Sequence, residues 1–415
     1  MEDKELLPNL FRTEYRKMVS VLCYLFGIEH IEIAEDIVSD TFLSATELWS
    51  IKGLPDHPTA WLYTVAKNKT KNYLKRNALF DKKLAVEIRY TSPEAEEMQI
   101  DFSVKNIADS QLAMIFAICN PSISNEAQIA LALNLLCGFG IQEIADAFLT
   151  NKEVIYKRIN RAKEKLKEEN IKIQQPTMTE INNRLETVLK TLYLLFSEGY
   201  YSTSQNTVLR KDLCAEAMRL NYLLIENPAT NTPAVNALFA LMSFHSSRFA
   251  ARTNKSGEVI LYQDQDESLW NKELIKQGEH FLNQASAGTQ LTKYHLEAGI
   301  GYWHTQKKDT VEKWESILHL YNNLIILEYS PIVALNRTYV LAKISGKEKA
   351  IVEAEKLNLT DNPFYYTLLG NLYTDLDDKK ALKNYEMALA LTNSIEDKKI
   401  ISKNIDQIQN KNNKL

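Results

Sequence analysis

Apolar positions near the start of the chain recur at intervals of three and four. Leu10, Phe11, Tyr15, Met18, Val19, Leu22 and Phe26 keep this spacing until Gly27 stops it, which predicts a helix over 8–26. A second helix is predicted over 31–49. Ile33, Ile37, Thr41, residues 43–45 and Leu48 form its apolar side, and Glu32, Glu35, Asp36, Asp40 and Glu47 its acidic side. Gly53, Pro55 and Pro58 then make a rigid loop. The helix predicted after it, over 61–76, is basic: Lys67, Lys69, Lys71, Lys75 and Arg76 fall within ten residues, with Trp61, Tyr63 and Tyr73 interleaved. Residues 77–110 are mixed and polar, with Ser92-Pro93-Glu94 and an acidic patch over 94–101, and suit a linker with some helical content.

A second small helical unit is predicted over 111–168. Gly138 and Gly140 separate an apolar helix at 127–136 from a short one at 141–148. Thr150 and Glu153 then have the spacing of a capping box, with Thr150 as N-cap. The helix that follows has Val154, Ile155, Ile159, Ala162 and Leu166 as its apolar stripe. Lys152, Lys157, Arg158, Arg161, Lys163, Lys165 and Lys167 cover the rest. A helix, a short turn and a capped basic helix make the pattern of a helix-turn-helix that docks in a major groove. After Pro176 the composition shifts to tyrosine-rich helices of nearly neutral charge, with 27 Lys+Arg against 28 Asp+Glu over 177–415. The segment 362–373, followed by Ala381, Tyr385 and Ala388, is similar to a tetratricopeptide repeat. Gly370, Ala381 and Ala388 let paired helices approach, and Tyr373 and Tyr385 fill between them. Residues 330–339 read as a degenerate relative.

A chain of 415 residues exceeds one ordinary core, so two or three domains are expected. With 45% hydrophobic and 25% charged residues and 12 Gly, it reads as folded and helix-rich; the expected fold class is all-α. The net charge of -4 averages the basic strips against acidic neighbours and so says nothing about nucleic acid. Cys23, Cys119, Cys137 and Cys214 are scattered without metal-ligand spacing and read as buried hydrophobes in a reducing compartment. No signal-peptide run and no long uncharged apolar stretch occur, so a cytoplasmic protein without a membrane partner is expected. No nucleophile-base pattern, Gly-rich phosphate loop or HExxH is present, and the seven histidines are isolated. The expectation is therefore a non-enzyme with no cofactor and no metal. Asp264, Asp266 and Glu267 lack further ligands at suitable spacing, and a loop-to-helix contact anchored by Trp270 is the favoured reading there.

The order and content of the two basic units resemble a bacterial RNA polymerase sigma factor of the extracytoplasmic-function type. The likeness covers 8–76 as region 2 and about 111–168 as region 4. Ala34-Glu-Asp-Ile-Val-Ser-Asp-Thr-Phe42 is similar to the segment that grips the β′ clamp helices. Trp61-Leu-Tyr63 with Ala66-Lys-Asn68 and Asn72-Tyr73 is similar to the helix that melts and reads the −10 element. Leu136-Cys-Gly-Phe-Gly-Ile-Gln-Glu-Ile-Ala-Asp-Ala-Phe148 with Lys157-Arg-Ile-Asn-Arg-Ala-Lys163 is similar to the −35-reading helix-turn-helix. Residues 192–200, 212–220, 263–266 with Trp270, and 331–337 resemble the subgroup with a long tetratricopeptide-like extension. Ser256-Gly257 and Glu267 depart from that subgroup's Gly-Gly pair and arginine.

The resemblance implies a division of labour. Glu32, Glu35, Asp36 and Asp40 would pair with basic residues of core polymerase, whose β′ clamp helices and β flap are the implied partners. Lys67, Lys71 and Lys75 would follow the −10 backbone, with Asn68 and Asn72 beside them. Asn68 would line a pocket for a flipped base between the 50–60 loop and the basic helix, and Trp61 would serve partly as core and partly as platform. Lys152, Lys157, Arg158 and Arg161 would contact −35 DNA. The implied domains are 1–76, a linker at 77–110, 111–172, and a regulatory extension at 177–415 with its own protein or intramolecular partner. The competing reading is a helix-turn-helix regulator or helical-repeat scaffold that does not engage polymerase. It accounts for 111–415 and leaves 31–76 without a purpose.

Overall fold

Helix α1 spans Asp3–Phe26 and ends where Gly27 turns to φ 86°, a left-handed geometry that favours glycine. Helix α2 (Ile31–Lys52) ends at Gly53 (φ 79°), and α3 covers Pro58–Phe80. The computed structural model describes residues 3–80, 100–148, 150–201, 210–254 and 260–412. Among these the chain is helical and carries no β-strand. The predicted linker segment at Ser92-Pro93-Glu94, most of the acidic patch that follows it, and Ser256-Gly257 lie outside the described residues.

Contacts divide the chain into two units, Met1–Leu194 and Leu195–Leu415. The change in composition falls at Pro176, but the packing boundary lies later, inside helix α8 (Met178–Tyr201). The reason is visible in the first half of that helix. Arg184 donates to the carbonyl of Phe116 (3.2 Å), and Thr191 donates to the buried side chain of Gln128 (2.7 Å).

In the first unit, Met18, Val19, Leu22 and Phe26 of α1 are buried with Ile31, Ala34, Ile37, Val38, Phe42, Ala45 and Trp49 of α2 and Leu62 and Ala66 of α3. The buried stripe of α2 is therefore rotated from the one expected: Leu43 is 57% exposed, and Phe42 and Trp49 face the core. Helix α4 (Val104–Ile118) begins inside the segment expected to be a linker. Ser103 caps it by accepting from the Asn106 N–H, and residues 110–118 are buried on every side, as a central helix requires. It packs on α1. Helix α5 (Asn125–Leu131) continues as a π turn over Ala132–Leu136. Helices α6 (Ile141–Ala147) and α7 (Lys152–Glu168) follow and pack on each other.

The cap of α7 differs from expectation by one residue. Asn151 is the N-cap and accepts from the Val154 N–H at 2.9 Å, while the Thr150 N–H bonds back to Ala145. The stripe differs as well: Ile155, Ile159, Ala162 and Leu166 are buried as expected, Val154 is 39% exposed, and Lys163 is buried instead.

The second unit is built of successive helices that pack on their neighbours. These are α9 (Lys211–Glu226), α10 (Pro233–Ser246), α11 (Lys272–Ala285), α12 (Lys293–Trp303), α13 (Val311–Leu327), α14 (Pro331–Ser345), α15 (Lys347–Leu357), α16 (Pro363–Tyr373), α17 (Asp378–Leu391) and α18 (Ile395–Asn412). The α16–α17 pair follows the small-residue logic read from the sequence. Ala381 and Ala388 are fully buried, Tyr385 is 2% exposed, and a Cβ on Gly370 would sit 2.8 Å from the Tyr385 ring. The 263–266 segment is held from the α12–α13 connection. Lys307 Nζ donates to the carbonyls of Tyr262 (3.2 Å), Gln263 (3.1 Å) and Gln265 (2.9 Å), and Trp270 is buried beside Tyr262. The loop-to-helix contacts are made by Tyr262, whose hydroxyl accepts from Lys313 of α13 at 2.9 Å, and by Trp270, which clusters with Ile275 of α11. All four cysteines are buried thiols, and burial pushes Cys119 and Cys214 up to about 12.

Candidate nucleic-acid interface

Helix α3 sorts its residues by face. Leu62, Ala66 and Thr70 are buried at i, i+4 and i+8, which leaves the opposite side to solvent. Lys71, Lys75 and Arg76 are exposed there, and Lys67 is half-buried with its ammonium 5.9 Å from the Phe102 ring. Because Lys67, Lys71 and Lys75 are spaced by four, their charges form one strip; Asn68 and Asn72, both exposed, run beside it.

The aromatic residues of α3 have protein partners. Trp61 is half-buried and meets Trp49 edge-on, with ring centres 5.2 Å apart. Tyr63 stacks on Phe102 at 4.7 Å and donates its hydroxyl to Glu14 at 2.5 Å. Tyr73 meets Phe26 edge-on at 5.9 Å. Burial, with the carboxylate of Glu14 next to it, pushes the Tyr63 phenol above its usual range, so that hydroxyl stays a donor. These rings hold α3 to the first unit, and half of Trp61 remains open beside the strip.

The loop before α3 borders an open depression of about 440 Å³ lined by Asp56, His57, Pro58, Thr59, Ala60 and Tyr63. It lies between the proline loop and the basic helix, where a pocket was expected. Asn68 does not line it and stands more than one turn further along α3.

On α7 the basic residues divide by position. Lys152, Lys157 and Arg161 are exposed and Arg158 is partly so, which leaves the N-terminal half open with its free backbone N–H groups. The C-terminal half faces α2. Lys163 Nζ lies 2.7 Å from Glu35 Oε2, with the two side chains only 7% and 20% exposed. Lys167 Nζ reaches both carboxylate oxygens of Glu32, at 2.9 and 3.0 Å. Partial burial works against the Glu32 charge, but the Lys167 hydrogen bond and charge and a backbone hydrogen bond outweigh it and leave its carboxyl below the usual range. Asp36 and Asp40 remain exposed on the same acidic side, Asp40 within 3.9 Å of Lys69. Sequence reasoning grouped these four acids together. The structure splits them into two engaged with α7 and two facing outward.

Helix α6 is tied to α1 in the same way. Glu143 accepts from the Gly140 N–H (2.8 Å) with one oxygen and from Arg12 (2.9 Å) with the other, and the Arg12 guanidinium lies 5.1 Å from the centre of the Phe139 ring. No sequence signal marked Arg12, because its partners are more than 120 positions away.

Comparison with known proteins agrees with the first unit's layout. Residues 10–79 match the family model of sigma-70 region 2, which covers α1–α3 and supports the sigma-70 family and a role in transcription initiation with core RNA polymerase and promoter DNA. Residues 184–286 match a family of unknown function (DUF6596). An uncharacterised protein of Rhizobium meliloti (strain 1021) is 29% identical over 388 residues, 91% of this chain and 90% of that protein. No solved structure matches. Among the described residues no helix is long and apolar enough to cross a membrane.

Proposed function

We propose that the chain is a sigma factor of the extracytoplasmic-function type, with α1–α3 as the core-binding and −10-melting module and α4–α7 as the −35-reading module. The observation that carries this reading is the region 2 match over 10–79, the segment that holds both the Lys67–Lys71–Lys75 strip of α3 and the exposed Asp36 and Asp40 of α2. A cationic strip beside exposed amides suits a separated strand, with lysines on phosphates and an amide on an unpaired base edge. Glu32, Glu35, Asp36 and Asp40 are the proposed polymerase contacts. The helices after α8 are proposed to act as a tetratricopeptide-like regulatory extension.

The deciding experiment is run-off transcription with core polymerase, with start sites mapped genome-wide. Asn68→Ala is expected to lower open-complex formation at a cognate promoter well beyond any loss in core binding. Equal losses in the two assays would remove Asn68 from the melting step. A chain that binds DNA alone and starts no transcript would instead be a helix-turn-helix regulator.

The upstream reading has a separate test. Each phosphate contact contributes about 0.9 to the slope of log affinity against log salt. The triple variant Lys152→Ala, Lys157→Ala, Arg161→Ala is expected to flatten that slope by about two to three for holoenzyme at a promoter with both elements. An unaltered slope would place α7 away from DNA.

A further inference from the structure

The acidic side of α2 and the basic helix α7 meet through contacts that serve neither module alone. Lys163–Glu35 is largely dehydrated and joins positions 128 apart; Lys167–Glu32 flanks it one turn along, and Arg12–Glu143 ties α6 to α1. A buried ion pair is a poor source of stability, because an apolar pair of similar size would do as well. Its value lies in holding one arrangement and in being replaceable by other charges. Lys163 and Lys167 sit one turn apart on α7, and Glu32 and Glu35 one turn apart on α2, so the four side chains pair in register.

We propose that the free protein is closed: Lys163 and Lys167 occupy the acids through which α2 would meet basic residues of core polymerase, so α7 must leave α2 before the polymerase can dock. This rests on the sigma-factor reading of α2 given above. In the closed form Asp36 and Asp40 stay exposed as an initial foothold, and displacement of Lys163 and Lys167 completes the contact. The N-terminal half of α7 is untouched by closure, since Lys152, Lys157 and Arg161 point to solvent. Apparent affinity for core then equals the intrinsic affinity scaled by the open fraction.

The test uses the full chain with spin labels at the exposed positions Glu47 and Glu164, in wild type and in Lys163→Gln/Lys167→Gln. Expected are one short distance in the free wild type, a longer one on adding core polymerase or in the variant, and several-fold tighter core binding by the variant. Lys167→Glu, at a more open site, is expected to act in the same direction and serves if the double variant fails to fold. A distance that opens in the variants with core affinity unchanged or weaker overturns the masking role while the sigma-factor reading stands. A short distance that persists with core bound also overturns it. Absence of core binding by every form, wild type included, overturns both readings together.

Discussion

Lowering the pH from 6.5 to 4.5 is expected to cost the folded chain about 2 kcal/mol through His304 alone. Its ring is partly buried, with Nδ1 shut off from solvent, at the end of α12, edge-on to Tyr262 (5.0 Å) and Trp314 (6.3 Å). Burial first, then the nearby charges of Arg248 and Lys313, push it down to about 3. In the unfolded chain the same group titrates near 6.5. Between those values the unfolded state holds a proton that the folded state refuses. Stability is therefore whole above pH 6.5 and falls by about 1.4 kcal/mol per pH unit below it, until pH reaches about 3. His245 is pushed in the same direction, by burial and then by Arg248 and Arg252, and adds to the loss. Urea unfolding at stepped pH should show a steeper decline in the wild type than in His304→Gln. Parallel curves would mean that His304 takes its proton without unfolding. Below pH 4 the lowered carboxyls of Glu353 and Asp375, each paired with a lysine, give up their contributions as well.

Gly278→Ala is expected to destabilise the second unit by about 1–3 kcal/mol, the usual cost of overpacking, less the fraction that better helix propensity returns. Gly278 lies mid-way along α11, and an added Cβ would stand 2.6–2.9 Å from three ring carbons of Phe244. That ring is fully buried on α10. Gly301 of α12 also lies close to Phe244, since a Cβ built there would stand 3.3 Å from the Phe244 Cβ and 3.5 Å from its ring, so three helices meet at this side chain. Phe244→Leu in the Gly278→Ala background should recover part of the loss, and the two substitutions should couple in a double-mutant cycle. Additive losses would show that the three helices yield at this point.

What could be read in advance follows the range of the interactions. Local periodicity and the glycine stops at Gly27 and Gly53 placed α1 and α2, the break before α6 was legible from Gly138 and Gly140, and the start of α7 from the polar run at 150–153. Thr150 and Asn151 are both good capping types, and only the backbone path decides that Asn151 faces the free N–H groups. Tyr63 has the look of a stacking platform, but its partner Phe102 lies 39 positions on, beyond a polar segment without periodicity. Lys163 could not be told from its solvated neighbours, because its burial comes from Glu35 of α2, 128 positions away. In the candidate site, residue types were legible, and which of them were already engaged was not.

Helix α7 is a rod of 17 residues, about 25 Å long, and its two ends hold charges with different obligations. On the proposed reading, in which Lys152, Lys157 and Arg161 meet phosphates, added salt weakens that grip. It also loosens Lys167 from Glu32 at the other end, while the dehydrated Lys163–Glu35 pair resists screening. Ionic strength thus pulls one rigid lever from both ends with opposing results, so promoter output should peak at an intermediate salt concentration and fall away on either side.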